Sequence, residues 1–183
     1  MNILFLDIDG VLNTYEEFDE LPNTYSDFSK EKAQELQNRY PKQKIISALE
    51  SICSQKVKIL NKVLEKYNPY IVVSSTWRKH FAIDVLDQIL CLRGLSKTIA
   101  SYTPIITENK AWLGSSEGHR GKEIQLWLEN FRLQLKDCNI CILEDSMSVA
   151  PYEKYCVRTN SMKGLMESHI PTICNLFEND KII

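Results

Sequence analysis

No apolar run in this sequence reaches the roughly 20 residues that a membrane-spanning helix needs, so nothing in it supports an integral membrane role. Charge of one sign is also missing. Lysine and arginine number 22 against 24 aspartates and glutamates, a formal net charge of −2. That balance gives no overall field toward nucleic acid or an anionic membrane, and leaves only a local basic patch as a route to either. The opening MNILFLDIDG has an acid where a signal peptide keeps its hydrophobic region, so a cytoplasmic location is the expectation. Histidine is scarce, and His80, His119 and His169 are scattered. The CxxC of Cys138 and Cys141 has neither a second pair nor a nearby histidine to complete a zinc set. The other cysteines, Cys53, Cys91, Cys156 and Cys174, mostly lie in or beside apolar segments, and all six read as reduced structural thiols.

What the chain does have is enough apolar material, 44% over 183 residues, for one buried core, so a single domain over 1–183 is expected. Asn2 to Leu6 is a short continuous apolar segment of the kind found in central parallel strands. After Asn13 the pattern becomes polar and loses any sustained period, so 14–50 reads as an inserted flap or small cap, with a helix from Ser29 to Arg39. Val57, Leu60, Leu64 and Tyr67 recur at helical spacing from Ser54 to Tyr67, and Pro69 closes that segment. A strand at Ile71 to Val73 leads to a helix expected from Trp77 to Leu90, with Phe81, Val85 and Ile89 inward. A weak strand near Ile99 and a Gly, Ser and Asn rich loop precede a helix from Lys122 to Lys136, whose Ile124, Leu128, Phe131 and Leu135 form one core stripe. Ile140 to Leu143 and Tyr155 to Asn160 complete the strands. This alternation argues for an α/β fold with a mostly parallel sheet, in which ligands bind beyond the carboxyl ends of the strands.

The unusual polar residues fall at those ends: Asp7 and Asp9, Ser74 and Ser75, Glu144 and Asp145. Four carboxylates converging on one sheet edge ask for a cation, because two like charges about 4 Å apart repel by roughly 4 kcal/mol even at an effective dielectric of 20. Oxygen ligands suit a hard divalent ion. Magnesium commonly takes one or two carboxylates, keeps waters and accepts substrate phosphate.

LDIDGVLN resembles the first motif of the haloacid dehalogenase-like (HAD) phosphohydrolases, IVVSS the second, RGKEI the third and ILEDS the fourth, in the same order and at fitting distances. SSTWR and RGKEIQLWL more narrowly resemble the HAD phosphatase-like domains associated with RNA repair proteins. The resemblance implies a three-layer Rossmann-like fold with a small inserted cap, and a magnesium-dependent phosphomonoester hydrolase. On it, Asp7 is the nucleophile that forms an aspartyl phosphate, and Asp9 is the general acid and then base, with its backbone carbonyl toward the metal. Ser74 would hydrogen-bond a phosphoryl oxygen, with Ser75 as its second candidate. Asp145 would ligate magnesium directly, and Glu144 directly or through water.

The third motif departs from the family pattern, which uses lysine: Arg120 stands immediately before Gly121, and Lys122 follows it. Either can offset charge on Asp7 and the phosphoryl group, and Arg120 is preferred. Arg78 is placed to reach a second phosphate or the anionic body of the substrate, against the alternative of a solvated charge at a helix start. Trp77 either stacks on a base or packs. The expected substrate is a phosphorylated small molecule or nucleotide, a nucleic-acid terminal phosphate, or a phosphoprotein. A phosphate-binding or regulatory module without turnover is the alternative from another class.

Overall fold

Strand β1 (Asn2–Leu6) is the centre of the molecule, and Ile3, Leu4, Phe5 and Leu6 are all fully buried. Successive side chains of a strand point to opposite faces, so burial of all four means that both faces of the sheet are covered. Each such side chain contributes about 1.5–3 kcal/mol on leaving water. The computed structural model describes residues 1–14, 36, 38–106, 119–131, 137–179 and 181–182.

The other strands are β2 (Tyr70–Val73), β3 (Ile99–Tyr102), β4 (Cys138–Glu144), β5 (Cys156–Arg158) and β6 (Lys181–Ile182). Their order is β3-β2-β1-β4-β5, all parallel, while β6 pairs antiparallel with the first residues of β4. The chain thus builds outward from β1 to β3, then returns to the opposite side of β1 with β4. A switch point therefore lies between the carboxyl ends of β1 and β4, the place where open α/β sheets form ligand crevices. The fold is α/β and Rossmann-like, as the alternation of elements implies.

The α-helices accompanying the sheet among the described residues include α1 (Lys42–Ser51), α2 (Ser54–Tyr67), α3 (Ile83–Leu92), α4 (Arg120–Phe131) and α5 (Ile170–Asn179). Helix α2 matches its expected bounds and ends on Asn68, whose left-handed φ of 45° suits asparagine before Pro69. Helix α4 begins two residues earlier than expected, and its predicted end at 132–136 lies outside the described residues. Trp127 of α4 packs edge-on against Phe5, with ring centroids 5.4 Å apart, so α4 covers the face of β1 that also carries Asp7. No helix among the described residues is long and apolar enough to cross a membrane.

One expectation needs correcting here. The helix expected from Trp77 to Leu90 is broken: a 3-10 turn at Thr76–Lys79 is followed by Ala82 in an extended conformation (ψ 156°), and only then does α3 begin. Within 14–50, α1 contributes Ile45, Ala48 and Leu49 to the main core. Most of the Ser29 to Arg39 helix lies outside the described residues, although Leu36, Asn38 and Arg39 are helical.

Candidate active site

Strand register decides what meets at the switch point. Leu6 pairs with Val73 on one side and Leu143 on the other. The next residue of each strand therefore comes alongside: the amide of Ser74 donates to the Leu6 carbonyl at 2.9 Å, and that of Asp7 to the Leu143 carbonyl at 3.0 Å. Asp7 thus sits between Ser74 and Glu144. The chain then turns away: the amides of Val11, Leu12 and Asn13 all converge on the Ile8 carbonyl, and Gly10 takes φ +70°. Glycine is needed there on two counts, since a Cβ would also overlap the Asp145 carboxylate.

Three of the four expected carboxylates come together. Asp7, Glu144 and Asp145 each offer an oxygen within 4.8 Å of the others. Asp7 is 4% exposed and Glu144 fully buried, whereas Asp145 is half-buried. The Asp9 side chain points elsewhere. Its carboxylate accepts from Asn13 Nδ2 at 2.6 Å and from the Trp77 indole N–H, with Nε1 3.0 and 3.1 Å from its two oxygens.

Arg120, the first residue of α4, is 3% exposed and brings its guanidinium to both buried acids: Nη2 lies 3.8 Å from Asp7 Oδ1 and Nε 3.2 Å from Glu144 Oε2. These are charge contacts without directed hydrogen bonds, because Arg120 Nε and Nη1 and Glu144 Oε2 all lack a hydrogen-bond partner. The guanidinium therefore keeps donor capacity for a further oxygen ligand. Lys122 is exposed on the same helix. Gly121 between them lets the loop at Val149 and Ala150 come so close that a Cβ would overlap the Ala150 carbonyl.

Ser74 is fully buried and its Oγ has no hydrogen-bond partner, a costly state unless a ligand oxygen completes it. Ser75 serves Asp7 instead, since its hydroxyl helps to hold the Asp7 pKa down and accepts from the Trp77 amide at 3.4 Å. Arg78 corrects both of its sequence-based alternatives, reach toward a phosphate and exposure to solvent. It is buried, pairs with Glu123 Oε2 at 2.5 Å, and donates to the carbonyls of Ser74, Ser75 (2.5 Å) and Thr103 (3.2 Å). Burial lowers its pKa, with Glu123 opposing. Arg78 therefore fastens the end of β2 to the end of β3 and to α4, which keeps Ser74 in line with Asp7.

The buried acids are under electrostatic stress. Burial raises the pKa of Asp7, against the attraction of Arg120 and the Ser75 hydrogen bond. Burial, followed by the charge on Asp7, pushes Glu144 up to about 8, against Arg120 and the amides of Met147 and Ser146. Three carboxylates facing one guanidinium leave a formal excess of two negative charges, and every donor is a hard oxygen. That set fits a divalent cation such as magnesium.

A pH dependence follows. Between the ordinary value of 4.5 and about 8 the folded chain holds Glu144 protonated while the unfolded chain ionises it. This contribution to metal-free stability is complete below the unfolded value and is lost as pH rises through the folded one. A bound cation favours the ionised form, so magnesium is expected to raise the thermal midpoint more at about pH 8.5 than at about pH 6. Calorimetry with and without magnesium checks this; a larger shift at the lower pH would contradict it.

Sequence reasoning missed the part played by Trp77 and Asn13 in holding Asp9. The DxDGxxN spacing carries a signal for Asn13, whereas Trp77 lies 68 residues away in sequence and becomes a partner only through the fold. Trp77→Phe keeps the ring and removes the N–H, and is expected to lower kcat roughly tenfold, the scale of one charge-assisted hydrogen bond. Steady-state kinetics decide, and an unchanged kcat would mean that Asp9 does not depend on this hold.

No curated protein and no solved structure matches the chain. A family model does match, over residues 3–170, which takes in β1 through the beginning of α5 and every site residue described above. On that match the chain belongs to the family described as the HAD domain in Swiss Army Knife RNA repair proteins.

Proposed function

We propose that the chain is a cytoplasmic, magnesium-dependent phosphomonoester hydrolase that works through an aspartyl phosphate on Asp7. The observation that carries this reading is the setting of Asp7, held between the unpartnered Ser74 hydroxyl, the Arg120 guanidinium and two further carboxylates. An Asp7 oxygen attacks phosphorus and the bond from phosphorus to the leaving oxygen breaks. Asp9 gives that oxygen its proton and later removes one from the water that attacks the phosphorus of the aspartyl phosphate. The second displacement releases inorganic phosphate and restores the Asp7 carboxylate. Ser74 and Arg120 donate to phosphoryl oxygens as charge shifts during each transfer.

Asp7, Asp145 and Glu144, with the Asp9 backbone carbonyl, would hold magnesium, and Glu144 has only Oε2 to offer because Oε1 accepts from the Ser146 and Met147 amides at 3.3 and 3.1 Å. Magnesium supplies positive charge against the carboxylate and phosphoryl oxygens when bound. The family's link to RNA repair favours a nucleotide or a nucleic-acid terminal phosphate as substrate. Phosphate release from nucleotides, phosphosugars, phosphopeptides and phosphate-ended oligonucleotides, each with and without magnesium, tests the reading. Magnesium-dependent release from at least one class is expected. Binding of phosphate or magnesium with no release from any of them would make the chain a silent module.

A further inference from the structure

We propose that the groove between α1 and the turn at Thr76–Lys79 is the leaving-group subsite, and that it seats a nucleoside unit joined to the phosphoryl group through its sugar. This rests on the phosphohydrolase reading above. The groove has a volume of about 480 Å³, within the range of roughly 300–1,000 Å³ of small-molecule sites. Gln43, Lys44, Ser47, Trp77, His80 and Phe81 form its walls. Asn13 lines it too, and Asn13 and Trp77 are the same two side chains that hold the Asp9 carboxylate. A leaving oxygen that takes its proton from Asp9 therefore carries the rest of the substrate into this space.

The lining distinguishes among leaving groups. Trp77 is half-buried, with its ring centroid 5.7 Å from that of the buried Phe81, and gives the groove an aromatic face that a base can stack on and a bare sugar cannot use. Gln43 and Ser47 are exposed and supply amide and hydroxyl groups that can donate to or accept from a base edge or a ribose hydroxyl. No carboxylate lines the groove among the described residues, and Lys44 adds a positive charge. Lys44 is fixed in place: its Nζ donates to the His80 carbonyl at 2.9 Å and lies 4.8 Å from the centre of the Phe81 ring. An aromatic, hydrogen-bonding and cationic wall matches a nucleoside with phosphate nearby. It matches a small sugar or an acidic peptide less well, since the one lacks an aromatic face and the other brings several carboxylates where the described lining supplies Lys44 as its one Lys or Arg.

The test uses the full chain with magnesium and three kinds of compound. Acetyl phosphate, whose acetate leaves without needing a proton and is too small to fill the groove, reports the Asp7 chemistry alone. Adenosine 5′-monophosphate is compared with ribose 5-phosphate, and a 3′-phosphorylated dinucleotide with its analogue lacking the terminal base. Each pair differs only in a base. In at least one pair kcat/KM is expected to favour the base-bearing member by roughly 10- to 100-fold, the scale of one stacked base. Ser47→Trp, placed at an exposed position where folding is not at risk, is expected to lower the ratio of nucleotide to acetyl phosphate turnover by about tenfold or more. The pair that responds separates a free nucleotide from a strand end. Equal rates within both pairs while acetyl phosphate is hydrolysed would overturn the subsite and leave the hydrolase reading standing. A base preference that Ser47→Trp does not change would overturn its location, and failure to hydrolyse acetyl phosphate would overturn both readings.

Discussion

Asp7→Asn is expected to lower phosphate release by roughly 10⁴-fold or more, the scale on which an enzyme loses activity with its covalent nucleophile. The fold should survive it. Burial already raises the pKa of Asp7, so the site disfavours charge at this position, and a neutral amide of the same shape relieves its repulsion with Glu144. The metal-free thermal midpoint is therefore expected to stay level or rise while activity disappears. Magnesium affinity falls with the loss of one of three carboxylates. Steady-state kinetics and a metal-free melt on the same preparation separate chemistry from folding. Activity above a tenth of wild type would remove Asp7 from the nucleophile's role. Inactivity accompanied by a large drop in midpoint would attribute the loss to structure.

The second large effect is a contrast between neighbours on α4. Arg120→Ala leaves Asp7 and Glu144 buried without their shared counter-charge. Stripping one partner from a buried charge cluster costs about 3–5 kcal/mol. The loss should lie toward the lower end near neutral pH, where Glu144 can hold a proton, and grow as pH rises past about 8. Turnover should fall by about 10²- to 10³-fold, the range for losing one donor to a transition-state oxygen. Lys122→Ala, at an exposed position, is expected to change stability by no more than about 0.5 kcal/mol and to leave turnover near wild type. Denaturant melts and kinetics on both variants test the contrast. An inactive Lys122→Ala beside a competent Arg120→Ala would transfer the third-motif role to the lysine.

The fold was most legible in the sequence where local pattern and tertiary setting ask for the same thing. Ile3 to Leu6 reads as a central strand because burial on both faces removes alternation, and Asp7, Ser74, Glu144 and Asp145 stand out because each breaks an apolar run at a strand's end. Other features depend on contacts between distant segments. Ile45, Ala48, Leu49 and Ile52 do have helical spacing, yet α1 is embedded in polar sequence and only its packing into the core identifies it. An apolar period cannot reveal the break at Ala82, because Phe81, Val85 and Ile89 are all buried with or without it.

Arg78 is the clearest case of a residue whose partners decide its meaning. An arginine four positions after a phosphate-site serine suggests phosphate recognition, but Glu123 on α4 and the carbonyls after β2 and β3 take up its guanidinium. Only the fold brings those partners within reach. The same holds for the indole N–H of Trp77 on Asp9. Sequence motifs thus located the side chains gathered at the strand ends, while the groups that hold them in position came from packing.

The central claim is that Asp7 itself takes up the phosphoryl group, and acid-quenched mass spectrometry of the magnesium-loaded chain during acetyl phosphate turnover tests it most directly. The account predicts a phosphoryl adduct that maps to the peptide containing Asp7, is absent from Asp7→Asn, and accumulates further in Asp9→Asn, where the hydrolytic water lacks its base. Turnover with no adduct under any quench, or with an adduct on a different residue, would contradict it.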